Sequence, residues 1–220
     1  MPCIGYPIVK CNNFNLPTLL IMKSFTGLEE KLLMKRVISG DKDAFAEVYD
    51  FYVIKIFRFV YLKTNSKEVA EDITSEAFMK CWKHVKALQE KPKEGISDHE
   101  TIGPLLYTIA RNTVIDYYRK KNEDHVGISD EMKDKIADKR QNISEKLIIK
   151  QEVEYIINVI KELRDEYQEV LLLKFVEDLP NGEISKITGK SEGSTRVLIH
   201  RALKSLEKAL NTKENIRNSK

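Results

Sequence analysis

The chain has 220 residues, 32% of them charged and only 8% aromatic, so its length suits one domain or two small ones with a mostly aliphatic core. A formal net charge of +3 does not by itself announce a nucleic-acid binder, so the distribution of charge has to be read instead. The three cysteines, Cys3, Cys11 and Cys81, form no C-x-x-C pair, which argues against a disulfide framework or a cysteine metal site and for a reducing compartment, the cytoplasm.

Only 9 Gly and 6 Pro punctuate the chain, so long helices are expected. Residues 1–27, with Pro2, Pro7, Pro17 and Asn12-Asn13, show no periodicity and read as a flexible extension. Their "LPTLLIM" lacks a basic leader and a small-residue cleavage site, so no signal peptide is expected, and no apolar run approaches the ~20 residues of a membrane span. From Leu28 a first helix carries Leu28, Leu32, Leu33, Val37 and Ile38. Gly40 suits its C-terminus and Asp41 the next N-cap.

The second helix places Phe45, Val48, Tyr49, Tyr52, Ile56, Phe59 and Val60 at steps of three and four. Asn65 with Glu68 resembles a capping box opening a third helix, whose stripe is Val69, Ile73, Ala77, Cys81, Val85 and Leu88. Cys81 on that stripe reads as a small buried hydrophobe. A loop from Gln89 to Ile102 follows, and Pro104 is expected at the first position of a fourth helix. Leu105, Leu106, Ile109, Ala110, Thr113 and Tyr117 share the arc of this helix that should pack. Thr108, Asn112, Ile115 and Arg119 form a second arc, and Tyr107, Arg111, Val114 and Tyr118 a third.

Glu123 to Glu145 holds seven acidic and four basic side chains and reads as a solvated linker; about 20 extended residues reach roughly 70 Å. Beyond it, Leu147 to Leu163 and Tyr167 to Phe175 are apolar-periodic. Pro180 can open a short helix with Ile184 and Ile187, and Thr188-Gly189-Lys190 makes a turn. Ser191 is a good N-cap for a long last helix. Two helices joined by a short Gly-containing turn match a helix-turn-helix. On the last helix Val197, Ala202, Leu206 and Ala209 are expected to pack inward. Ser194, Thr195 and Arg196 occupy the turns that reach base edges, Ser191 and Gly193 leave backbone N–H groups for a phosphate, and His200, Arg201 and Lys204 lie outside.

The expected architecture is all-α: two small helical domains, 28–122 and 145–212, joined by an acidic linker over 123–144, with a short tail at 213–220. "AFAEVYDFYVIKIFRFVYLKTNSKEVAEDITSEAFMKCWKHV" and "PLLYTIARNTVIDYYRKK" resemble the second region of bacterial RNA polymerase sigma factors. "LPNGEISKITGKSEGSTRVLIHRALKSL" resembles their fourth region. The order, with a short linker and no third domain, is similar to the extracytoplasmic-function group of the sigma-70 family.

That resemblance implies a protein that binds core RNA polymerase and directs promoter-specific transcription initiation. It implies a core-polymerase contact at Asp72, Ile73, Glu76, Phe78 and Trp82, against the clamp helices of the largest subunit, with a further contact to the flap region. It assigns the minus-ten element to Tyr107, Arg111, Asn112, Tyr118, Arg119, Lys120 and Lys121. The minus-thirty-five element falls to Ser191, Gly193, Ser194, Thr195, Arg196, His200 and Arg201. The loop before the fourth helix is implied to capture a flipped base, and the acidic linker to thread through basic polymerase channels. An anti-sigma factor is a further implied partner; no membrane, metal or cofactor is. Leu105 stands where the family often has Trp, Leu198 where a basic residue is frequent, and Ser185 and Thr188 where apolar residues are usual. A regulator acting without polymerase would share the helix-turn-helix but not the acidic ridge on the third helix. An enzyme is not expected, because no nucleophile–base pair, metal cluster or Gly-rich phosphate loop is present.

Overall fold

The computed structural model describes residues 27–90, 101–124 and 145–218, all helix and turn with no strand among them. The expectations for residues 1–26, for 91–100 of the base-capturing loop and for most of the acidic linker fall outside the described residues, whereas Gln89 and Ile102, expected in that loop, lie in helices. The first half comprises α1 (Gly27–Ile38), α2 (Lys42–Thr64), α3 (Lys67–Glu90) and α4 (Ile102–Asp124). The second comprises α5 (Glu145–Ile160), α6 (Asp165–Leu171), a π turn (Leu172–Val176), α7 (Asn181–Thr188) and α8 (Glu192–Asn218).

Local chemistry sets most of the helix ends. Gly40 takes φ 92° after α1, and the Asp41 carboxylate accepts from the Asp43 and Ala44 amides at 3.0 and 3.1 Å. Those bonds satisfy two of the donors that a helix start leaves unpaired. The expected capping box is displaced by one residue. Asn65 ends α2 in the left-handed region at φ 55°, and the hydroxyl of Ser66 accepts from the Val69 amide at 3.4 Å instead. Asn tolerates the left-handed region better than most residues, so it serves the end of one helix and leaves the start of the next to Ser66.

In the first half α2, α3 and α4 pack on one another, and α1 lies against all three. Val48, Ile56 and Val60 of α2 are fully buried, as are Ala77, Cys81 and Val85 of α3. Burying each large aliphatic side chain contributes about 1.5–3 kcal/mol. Burial also pushes the Cys81 thiol up to about 12, so it behaves as a hydrophobe rather than a nucleophile. Aromatic pairs pin α2 to α3: Phe45 on Trp82 at 4.7 Å and Tyr49 on Phe78 at 4.8 Å between ring centres. α1 departs from expectation. Leu33, Met34 and Val37 are its buried stripe, whereas Leu28 and Leu32 are exposed.

α4 begins two residues before the expected Pro104, and its start is embedded. Ile102, Gly103 and Pro104 are all buried. A Cβ on Gly103 would stand 2.7 Å from the Tyr52 hydroxyl and 3.0 Å from a Glu30 carboxylate oxygen, so the close approach requires glycine. Tyr52 donates its hydroxyl hydrogen to Glu30 at this spot. Burial, with Glu183 of α7 adding repulsion, pushes the Glu30 carboxyl up to about 7.

In the second half α8 packs on α5, α6 and α7, and Gly189 takes φ 68° in the turn between α7 and α8. The two halves meet: α7 packs on α4, and the buried side chains form one contiguous cluster running through both.

Candidate polymerase and nucleic-acid surfaces

Three helices carry the predicted contact residues. On α3, Asp72, Glu76 and Lys80 are exposed at steps of four, with Lys80 paired to Glu76 at 2.8 Å. Lys80 also donates to the Thr113 hydroxyl at 3.1 Å, which ties the ridge to α4. Met79 is 58% exposed beside it, an apolar neighbour that the sequence reading left out. Trp82 is half-buried, its ring tilted against that of Phe45. Ile73 and Phe78 are each only 4% exposed; they support the ridge from beneath and are not part of its surface.

On α8 the hairpin delivers its first turns to solvent. The Ser191 hydroxyl accepts from the Ser194 amide at 3.2 Å, the expected N-cap. Ser191, Gly193, Ser194, Arg196, His200 and Arg201 are exposed. Thr195 is not: it is fully buried and faces the hairpin interior. The packed stripe is Thr195, Ile199, Ala202 and Leu206, and Val197, expected inside, is 50% exposed. The signal was the spacing of four, three and four from Thr195, hidden because a threonine starts it.

α4 divides in an unexpected way. Asn112, Arg119, Lys120 and Lys121 are exposed, as the second arc and the basic end require, with Asp116 pairing Arg119 at 3.1 Å. The third arc is largely covered. Tyr107 is 1% exposed, edge-on to Phe59 at 5.6 Å, and donates to a Glu177 carboxylate oxygen at 2.8 Å. Arg111 donates through Nε to Glu169 at 2.5 Å. Tyr118 stays partly exposed, its hydroxyl bonded to the Lys63 carbonyl at 3.0 Å. Tyr107 is therefore a core residue in this arrangement, not an outer one.

The residue that receives Tyr107 is the one that sequence reasoning missed. Glu177 follows the π turn, in which the Glu177 amide reaches back to the Leu172 carbonyl at 3.0 Å. Its carboxylate also takes Nε and Nη2 of Arg58 at 2.8 and 2.6 Å. The Arg58 and Glu177 side chains are 6% and 0% exposed, so this is a bidentate ion pair removed from water. Burial pushes the Tyr107 hydroxyl well above its usual range, and the adjoining Glu177 charge adds to the shift. The signal was a lone charge in "IFRFV", where all five residues are buried. A cation there needs a buried anion. Around the Arg111–Glu169 pair a cavity of ≈ 850 Å³ separates α4 from α6, lined by Lys63, Arg119, Lys161 and Glu166 among others.

Two family models match the chain: Sigma-70 region 2 over residues 48–123 and Sigma-70, region 4 over residues 154–206. The ECF RNA polymerase sigma factor SigM of Bacillus subtilis is 31% identical, over 75% of this chain and 94% of its own length. SigW of the same organism is 30% identical, over 82% and 96%. The chain belongs to the ECF sigma factors of the sigma-70 family. BldN of Streptomyces coelicolor is 27% identical over 81% of this sigma factor but only 64% of its own length. Among solved structures, CnrH in complex with the cytosolic domain of CnrY shares the fold, with TM-score 0.60 and 15% identity over 83% of this chain and 97% of that one. RpoE in complex with the anti-sigma factor NepR from Bartonella quintana does so at TM-score 0.56 and 19% identity, over 76% and 96%. Membership of this family makes the chain a promoter-specificity factor, which directs RNA polymerase to initiate transcription. Among the described residues no helix is long and apolar enough to cross a membrane, and no group of acidic, His or Cys side chains is placed to hold a metal.

Proposed function

We propose that this sigma factor divides its contacts between two functional domains, 28–122 and 145–212. Asp72, Glu76 and Trp82 meet core polymerase at the clamp helices. Asn112, Arg119, Lys120 and Lys121, with Tyr118 and Arg111, handle the minus-ten element. Ser191, Gly193, Ser194, Arg196, His200 and Arg201 take the minus-thirty-five element. The observation that carries the reading is the start of α8: its cap Ser191 and, within it, Glu192, Gly193, Ser194 and Arg196 are exposed while Thr195 is buried among them. Polar groups at the N-terminus of a second hairpin helix can enter a major groove, where Arg pairs with guanine through two hydrogen bonds.

An exposed acidic ridge with apolar neighbours suits a basic partner surface. The chain uses binding energy to favour melted promoter and performs no covalent chemistry, and it works in the cytoplasm beside the polymerase. An anti-sigma partner fits the same family, since both CnrH and RpoE are seen with partner proteins. Run-off transcription with core polymerase and promoter fragments tests the assignment. Initiation from defined start sites is expected, and Asp72→Ala with Glu76→Ala is expected to lower core affinity without DNA. Tight binding of promoter duplex in the absence of core would favour a polymerase-independent regulator instead.

A further inference from the structure

α8 carries an apolar side chain where its face is otherwise polar. Thr195, Ile199 and Ala202 are 0%, 8% and 0% exposed and set the buried side of the helix, whereas Val197 is 50% exposed. At about 100° per residue, Val197 stands opposite that stripe. Gly193, His200, Arg201 and Lys204 share its side and are all exposed. Gly193 lies one turn earlier, and a Cβ built there meets nothing within 4 Å, so the approach to Val197 is open. Among the described residues no carboxylate pairs with His200, Arg201 or Lys204, which leaves their charge for a partner.

A single exposed valine is ordinary on a protein surface. This one sits at the centre of the face that the surrounding cations draw toward DNA, and the partner limits what it can meet. Base-pair edges in the major groove are hydrogen-bond donors and acceptors, with one apolar group among them, the 5-methyl of thymine. A valine set against donors and acceptors strips their water and returns no hydrogen bond, which is unfavourable. Set against a methyl group it buries apolar surface on both partners. Its branched Cβ holds essentially one rotamer in a helix, so little side-chain freedom is lost on contact. We propose that Val197 is a specificity-determining residue that meets the 5-methyl group of one thymine in the minus-thirty-five element. The inference rests on the reading of α8 given above. It adds to Arg196, which addresses hydrogen-bonding groups, a contact that reads an apolar group alone.

The test uses holoenzyme on a promoter duplex found by run-off transcription, with each thymine of the upstream element, on either strand, replaced in turn by deoxyuridine. That change keeps the base pairing and removes only the methyl group. One replacement is expected to weaken wild-type binding about three- to fourfold, and the others to leave it unchanged. Val197→Ser is expected to weaken binding to the thymine promoter by a similar factor, and to make the holoenzyme indifferent to deoxyuridine at the sensitive position. Leu203→Ala is the control. Leu203 is 39% exposed on the same helix, about 120° around from Val197 and farther from the helix start, so this variant should keep the wild-type sensitivity. A flat deoxyuridine scan with wild type overturns the proposal, and that scan needs no variant to fold. Retained sensitivity in Val197→Ser overturns it as well. Scrambling the upstream element separates the two claims. If scrambling weakens binding and the scan is flat, α8 reads the element and Val197 has no part in it. If scrambling and Arg196→Ala both leave binding unchanged, the reading of α8 fails and the proposal falls with it.

Discussion

α4 and α8 carry similar sequence patterns, polar and basic residues laid over an apolar stripe, yet one is built into the molecule and the other projects from it. α4 starts inside the fold, its first turn seated on the Tyr52–Glu30 pair, and one of its outer arcs is covered by the second half. α8 starts in solvent, capped by its own Ser191. What a helix offers to a partner is thus decided by what already lies on it, and the amphipathic pattern alone does not say. The same residue type is spent differently: Arg111 on one helix is engaged by Glu169, while Arg196 on the other has a rim contact at 3.5 Å to Glu192.

The contrast can be broken most directly in the apolar stripes. Leu106→Ala on α4 removes a fully buried side chain and is expected to cost about 2–5 kcal/mol in urea denaturation. Val197→Ala on α8, half-exposed, should stay within about 0.5 kcal/mol. Equal costs would erase the distinction.

Next comes the seat of α4. Glu30 holds its proton up to about 7 in the fold against 4.5 ordinarily, so the folded state binds a proton that the unfolded chain has lost. Its contribution is therefore complete below about 4.5 and is lost as pH rises toward 7, by up to about 3 kcal/mol. Tyr52, Lys55, Glu183 and Lys186 surround it, and burial raises Glu183 in the same direction. Glu30→Gln should flatten the decline in urea midpoint between pH 5 and 8; parallel slopes for variant and wild type would remove Glu30 as its source.

Smaller still is a glycine pair. Gly103→Ala is expected to destabilise by about 1–3 kcal/mol because Tyr52 and Glu30 occupy the space, whereas Gly193→Ala meets nothing within 4 Å. In the first turn of α8 that change should be neutral or stabilise by up to about 1 kcal/mol. Arg196→Ala should likewise stay within about 0.5 kcal/mol by thermal melting. The same substitution is expected to cost the holoenzyme about 1–3 kcal/mol on its upstream element in a mobility-shift assay.

The stripes of α2 and α3 were legible in the sequence because their period is local and their residues unambiguous. The Gly40–Asp41 break and the Ser191 cap were legible for the same reason. Asn65 and Ser66 were confused because both residue types cap helices, and only the left-handed backbone at Asn65 separates the roles. The stripe through Ile199 is hard to see in the sequence because it starts on a threonine, Thr195. The covered arc of α4 was not legible at all. Tyr107 and Glu177 are 70 positions apart, and Arg58 and Glu177 are 119 apart, so no window along the chain contains the pair. Exposure on α3 and α8 was partly readable because it depends on one helix each, although Ile73, Phe78 and Thr195 are buried there; exposure on α4 depends on where another unit comes to rest.

The π turn gives this arrangement a sensitivity of a different kind. It seats one more residue in a turn than a regular helix would, and Glu177 follows directly upon it. Deleting a single residue between Leu172 and Val176 would let the ladder close regularly and swing the following side chain by about 100° around the axis. The carboxylate would then turn away from Arg58 with its charge and identity unaltered. For this contact the length of the segment is a variable in its own right, and a one-codon change in the gene has a geometric reading that no substitution table contains.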